Sequence, residues 1–308
     1  MNPLPQVSVV MSVYNGAGHL SETLESVLNQ QDCDFEFIVV NDGSTDATAT
    51  ILDNYAKGDK RLRVINQENT GLTRALIRGC LEARGEFIAR QDAGDISLPG
   101  RLNQQRVFLL NYPDAVMAAC AVRYTGPLHE RLYEVAKPMH ELDDGLRQPD
   151  LNRLSGPPHH GGTMFHRAAY LRAGGYRSIF TVAQDMDLWL RLSELGSCLG
   201  MPMILYEARL EAGSISSRRR NEQFRLGALA LECAKRRKAG LNDQLLIDAY
   251  VPLVKGNAAI NRFEKARFHY YIASCLRQHD RSAAKPYFLK ALAENPFHWK
   301  ALFRLMTS

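Results

Sequence analysis

The first 110 residues alternate short, β-branched apolar runs with segments of helical period, and this alternation constrains the fold more than any other feature. Val7–Tyr14 (VSVVMSVY) reads as a buried strand. Leu20, Leu24, Val27 and Leu28 then recur at helical spacing. Phe35–Val40 is a second strand, closed by the turn-and-cap cluster Asn41-Asp42-Gly43-Ser44-Thr45-Asp46. A helix over Ala47–Tyr55, a strand at Leu62–Ile65, a helix over Leu72–Ala83 and a strand at Phe87–Arg90 continue the series. Pro99 suits the first turn of a helix running toward Leu110. Such alternation with short connections predicts an α/β fold, a mixed and mostly parallel sheet flanked by helices.

Beyond Val116 the pattern loosens. Val116–Tyr124 reads as a strand, but 125–158 holds five prolines and mixed charge and reads as an irregular insertion. A strand at Thr163–His166, a helix near Ala168–Ala173, the turn Gly174-Gly175-Tyr176, a helix over Asp185–Leu195 and a strand near Leu199–Tyr206 resume the order. After Ser214 everything reads as helix, so the expected domains are 1–214 and an all-α extension, 215–308. In that extension Tyr271, Cys275, Ala284, Phe288, Ala291 and Pro296 approach the spacing of a tetratricopeptide helix pair. An ordinary amphipathic hairpin is the plainer alternative.

Charge separates the same two parts. Residues 1–214 carry 20 basic and 26 acidic side chains, whereas 215–308 carry 18 and 7. A basic tail points to a surface or partner. Its runs Arg218-Arg219-Arg220 and Lys235-Arg236-Arg237-Lys238 lack interleaved aromatics and any recognised motif, so nucleic acid is not expected. An anionic membrane surface is the functional alternative to a solvated helix face. The apolar run Val7–Tyr14 is too short for a leader or a membrane span, and no basic residue precedes it. The six cysteines are widely scattered with no CxxC pair, which favours reduced thiols. A cytoplasmic enzyme, peripheral at the inner face of the membrane if attached at all, is the expectation.

Ligands of open α/β sheets bind beyond the carboxyl ends of the strands. Three clusters fall there: Tyr14-Asn15-Gly16, Asn41-Asp42-Gly43-Ser44 and Gln91-Asp92-Ala93-Gly94-Asp95. Carboxylates at two of them suit a ribose, a base or a hard cation. Neither GxGxxG nor GxxxxGK[ST] follows any strand, so the dinucleotide and P-loop readings fail. For each aspartate taken singly, a turn or helix cap is the competing reading, and it prevails for Asp46.

The stretches VSVVMSVYNG (7–16), FIVVNDGSTDAT (37–48), ENTGLTRAL (68–76), ARGEFIARQDAGDISLPGRL (83–102) and GGYRSIFTVAQDMDLWLRL (174–192) together resemble a family 2 glycosyltransferase of the GT-A type. The resemblance covers about residues 5–210. It implies an inverting enzyme that uses a nucleotide-diphosphosugar, UDP-linked first, with Mg²⁺ or Mn²⁺ and a saccharide or lipid-linked acceptor. Surface polysaccharide synthesis in a bacterium is the implied setting. By position it assigns Tyr14, Asn15, Asp42, Gln91 and Asp92 to the donor nucleotide, and Asp92 with Asp95 to the metal. Asp185 becomes the catalytic base with Asp187 as local rival, and His160, Gly175, Tyr176 and Trp189 fall on the acceptor side. Two departures stand out: Gly94 replaces the second acid of the usual Asp-x-Asp-Asp run, and Gln184 replaces a Glu before Asp185. They lend support to a rival reading, a degenerate transferase acting as a scaffold. A nucleotidyltransferase would need a basic loop after the first strand, and Tyr14–Gly18 has no Lys or Arg.

Overall fold

The computed structural model describes residues 4–148, 155–212, 219–250 and 261–307. Nine strands form one sheet: β1 (Val7–Val13), β2 (Phe35–Asp42), β3 (Leu62–Gln67), β4 (Phe87–Asp92), β5 (Ile96–Ser97), β6 (Ala115–Thr125), β7 (Arg131–Val135), β8 (Thr163–His166) and β9 (Ser197–Arg209). The order is β3-β2-β1-β4-β8-β6-β9-β5, with β7 paired on β6. The first four strands are parallel, whereas β8 runs antiparallel to β4 and β6, and β5 antiparallel to β9. The strands legible as buried runs are buried: every residue of β1 and β2 except Ser12 is shielded almost completely from solvent. Helix α1 (Leu20–Leu28) covers the sheet with Leu20, Thr23, Leu24 and Val27, one face of its 3.6-residue turn.

The sheet makes the site by register. Ser12 of β1 pairs with Asp92 of β4, and Val13 with Asn41 of β2. Tyr14, Asp42 and Asp92 therefore leave the sheet along one edge, where the chain order reverses between β1 and β4.

The expected irregular insertion is not all loop. It holds β7 and a short helix, Glu141–Arg147, whose Leu142 and Leu146 are buried. Residues 149–154 lie outside the described part. The expected helix after Pro99 begins at Arg101, following a left-handed Gly100.

The chain divides into two compact units. One comprises residues 1–122, 135–208 and 224–250. In it, the helix Arg220–Lys238 buries Leu226, Ala230, Leu231 and Ala234 in the core shared with Leu188, Trp189 and Leu192. The other comprises residues 123–134, 209–223 and 251–308. Its core is Leu132 with the inner faces of the helices Arg262–Leu276 and Arg281–Glu294, namely Ile272, Ala273, Ala284, Phe288 and Ala291.

Candidate active site

Strand β4 is buried from Phe87 through Gln91 and delivers Asp92 at its end. Gln91 shapes the turn that follows. Its Nε2 donates to the carbonyls of Asp92 (3.1 Å) and Asp95 (3.0 Å), while its Oε1 accepts from Ser97 Oγ (2.8 Å) and Arg101 (3.1 Å). At Gly94 φ is +97°, a conformation that disfavours any side chain, and its N–H donates to Thr23 Oγ1 (3.0 Å). A Cβ there would meet nothing within 4 Å, so backbone conformation, not space, accounts for the missing acid.

Tyr206, delivered by β9 and fully buried, joins the two remaining acids. Its hydroxyl donates to Asp95 Oδ2 (2.9 Å) and accepts from the Asp92 amide (3.0 Å). The ring of His159 stacks on Tyr206, 5.6 Å between centroids. That places His159 Nδ1 3.8 Å from Asp92 Oδ2 and 3.7 Å from Asp95 Oδ2. Ligand atoms of Asp92, Asp95 and His159 all lie within 4.8 Å of one another. Two hard carboxylates suit Mg²⁺ or Mn²⁺, and an imidazole is tolerated better by Mn²⁺. A cation would compete for His159 Nδ1 with the Gly161 amide, which donates to it at 3.1 Å. The three side chains fit a divalent cation.

Behind this cluster lies a fully buried cation. Arg90 donates to Asp92 Oδ1 (2.7 Å), to the Val10 carbonyl and to His160 Nε2 (3.3 Å). Burial raises the Asp92 pKa, but the Arg90 charge prevails and holds it below the usual carboxylate range. Arginine only donates, so His160 Nε2 accepts and the ring proton sits on Nδ1. Burial, with Arg90 alongside, drives His160 down to a pKa of about 3, and the ring is neutral. Its Nε2 is also 2.7 Å from the Tyr176 hydroxyl.

The helix Gln184–Ser193 carries two acids in its first turn. Asp187 is buried and paired on both oxygens, with Arg177 and with Arg191 (2.5 Å). The Asp185 carboxylate accepts the Met186 amide (2.8 Å), and no ion pair is made to it among the described residues. Its pKa is raised, first by burial and further by the negative charge of Asp92, with His159 opposing. Asp185 and the Asp92 cluster therefore share one electrostatic environment.

The other expected site residues spread around this centre. Tyr14 is exposed at the end of β1. Asn15 sits at φ +51° and ties its loop to the next, donating to Ser44 Oγ (3.0 Å) and accepting the Thr45 amide (2.8 Å). Asp42 is 1% exposed, and protein donors fill both oxygens: Gln67 Nε2 (2.8 Å) and the Thr70 amide (2.9 Å) on one, the Gly71 amide (2.8 Å) on the other. Gly175 and Tyr176 are buried, Tyr176 against His160. Trp189 is buried edge-on to His160, and its Nε1 and the Gln184 Oε1 are buried without a hydrogen-bond partner among the described residues.

Sequence reasoning favoured His160, yet it is His159 that faces the acids. Arg90 and Tyr206 were missed as well. Arg90 did leave a signal, since an arginine inside a buried strand needs a carboxylate nearby. Tyr206 left none, being 114 residues from Asp92.

This mixed, mostly parallel sheet with acids at its strand ends has the fold of the GT-A-type glycosyltransferases. The family model "Glycosyl transferase family 2" matches residues 8–173, and the chain belongs to that glycosyltransferase family. It is 30% identical over 233 residues to the O-antigen biosynthesis glycosyltransferase WbnJ of Escherichia coli, covering 75% of this chain and 87% of that one. In fold it resembles S. aureus TarS in complex with UDP-GlcNAc, with a TM-score of 0.53 at 14% identity, covering 94% of this chain and 72% of that chain. It also resembles the mannosyltransferase PcManGT of Pyrobaculum calidifontis in complex with GDP-Man and Mn²⁺, with a TM-score of 0.55 at 18% identity, covering 99% and 80%.

Proposed function

We propose that this glycosyltransferase moves a hexose or N-acetylhexosamine from a UDP-sugar to a saccharide or lipid-linked acceptor, with inversion, in surface polysaccharide synthesis. The observation that carries the reading is a division of labour among acids. Asp92 and Asp95 converge with His159, while Asp185 stands in the same field with a raised pKa. Asp185 takes the proton from the acceptor hydroxyl as that oxygen attacks the anomeric carbon. Its raised pKa makes it a stronger base than an ordinary carboxylate. Asp92, Asp95 and His159 hold Mn²⁺ or Mg²⁺, which when bound supplies positive charge to the diphosphate leaving group. Tyr14 and Asn15 meet the nucleoside, and Asp42 fixes the Thr70–Gly71 backbone beside it. Gln91 sets the turn that presents both metal-binding acids. Trp189, Gln184, His160 and the Gly175-Tyr176 turn form the acceptor side, where two unpartnered buried polar atoms suit sugar hydroxyls.

UDP-linked donors are supported by the TarS complex and a polysaccharide setting by WbnJ, each by likeness. The test is thermal melting of the full chain with UDP- and GDP-sugars, with and without Mn²⁺ or Mg²⁺. Saturating donor with metal should raise Tm by on the order of 5 °C, and EDTA should abolish the shift. Equal shifts with and without metal would remove the cation role. A shift with GDP-sugars alone would replace the donor.

A further inference from the structure

The second compact unit carries an apolar face that its own core does not use. In the helix Trp299–Met306, Ala301 and Leu305 pack inward on the cluster of Phe288 and Ala291. Trp299, Leu302, Phe303 and Met306 occupy positions i, i+3, i+4 and i+7, the spacing that normally buries a helix. They are 48–79% exposed, and Phe297 just ahead of them is 91% exposed. Lys300 lies over the Trp299 ring, 5.4 Å from its centroid.

The charge of the stretch that carries this face is one-sided. Residues 261–308 hold nine Lys or Arg and three Asp or Glu. Two of those acids are spent on caps: Glu264 shares a capping box with Asn261, and Asp280 accepts the Ala283 amide. Seven of the nine basic side chains are exposed. By contrast, several members of the basic runs that stand out in the sequence pair within the chain. Arg219 pairs with Glu222, Arg237 with Glu194 and Asp243, and Lys238 donates to the Arg147 carbonyl, whereas Arg218 lies outside the described residues.

We propose that the Trp299–Met306 face docks on an anionic bilayer surface. Aromatic rings with long cationic side chains suit the headgroup boundary, where ring and stem enter the apolar edge and the charge stays at the phosphates. The excess of basic groups adds attraction for anionic lipid. A second copy of the chain fits less well, because two such faces would bring like charges together. The inference goes beyond the transfer reaction and depends on none of its residues.

The test is co-sedimentation of the full chain with phosphatidylcholine vesicles, with or without about a third phosphatidylglycerol. Binding to the anionic vesicles, weakened by salt, is expected. The double variant Trp299→Ser/Phe303→Ser should weaken it by at least about tenfold, and Lys300→Glu by less. Hydrolysis of a soluble nucleotide-sugar, measured alongside, should be unchanged in both, so failure of docking is distinguishable from failure of the transferase reading. No binding to anionic vesicles, equal binding to both vesicle types, or equal binding by the double variant would overturn the proposal. Concentration-dependent dimerisation lost in the double variant would assign the face to a second copy instead.

Discussion

Two loops leave the same edge of the sheet carrying acids, and their carboxylates are treated in opposite ways. After β2, both oxygens of Asp42 are filled by Gln67 and the amides of Thr70 and Gly71. After β4, Asp92 gives one oxygen to Arg90, and its other faces His159 with the side chain 29% exposed. The same contrast recurs within three residues of one helix, where Asp187 is paired twice and Asp185 accepts one amide. The proposed roles follow this contrast, with Asp42 holding backbone and Asp92 and Asp185 left for chemistry.

The sharpest way to break this contrast is Asp185→Asn. Removing a general base should lower kcat about a thousandfold with nucleotide affinity unchanged. Stability should move the other way. The folded-state pKa of Asp185 is raised, so its ionisation costs stability as pH rises through that value. The Asn variant escapes that cost, and its Tm at pH 8 should equal or exceed the parent's. A clear drop in Tm would put Asp185 in the same class as Asp187.

Asp187→Asn is the mirror experiment. It leaves Arg177 and Arg191 facing a neutral group in a buried setting, a loss of about 3 kcal/mol in urea unfolding. The folded fraction should keep its kcat within a few-fold. Asp42→Ala should follow at about 2 kcal/mol, because three donors lose their acceptor. Its metal-dependent nucleotide affinity should fall little. If affinity for UDP falls while stability holds, Asp42 touches the base directly and the contrast between the two loops collapses.

The sheet was legible because β1 and the centre of β2 are near-continuous apolar runs, as strands covered on both faces tend to be. Motif position also pointed to Asp92 and Asp95, whose carboxylates lie close together beside His159. The insertion was misread in part, since the helix Glu141–Arg147 buries only Leu142, Gly145 and Leu146 and leaves too short a period to recognise. Choosing between His159 and His160 lay beyond the sequence. Neighbouring side chains diverge, and only the stacking of His159 on Tyr206 and the pairing of His160 with Arg90 separate them. The sequence also leaves open which heads of the basic runs are paired: Arg237 meets Glu194 and Asp243, whereas Lys235 is exposed.

Tyr206 offers the finest test, because it lends one hydroxyl to the open cluster where Asp42 receives a whole loop. Tyr206→Phe removes the donor from Asp95 Oδ2 and the acceptor from the Asp92 amide while keeping the ring under His159. Partners behind ligand side chains are worth about tenfold in metal affinity. The variant should therefore need about tenfold more Mn²⁺ for half-maximal nucleotide binding, with about 1 kcal/mol lost in stability. Saturating metal should restore nucleotide affinity, since the ligand atoms themselves remain. An unchanged metal requirement with the same loss of stability would mean that the hydroxyl only braces the turn. Asp95 would then be a structural acid like Asp42, and the cation would rest on Asp92 and His159.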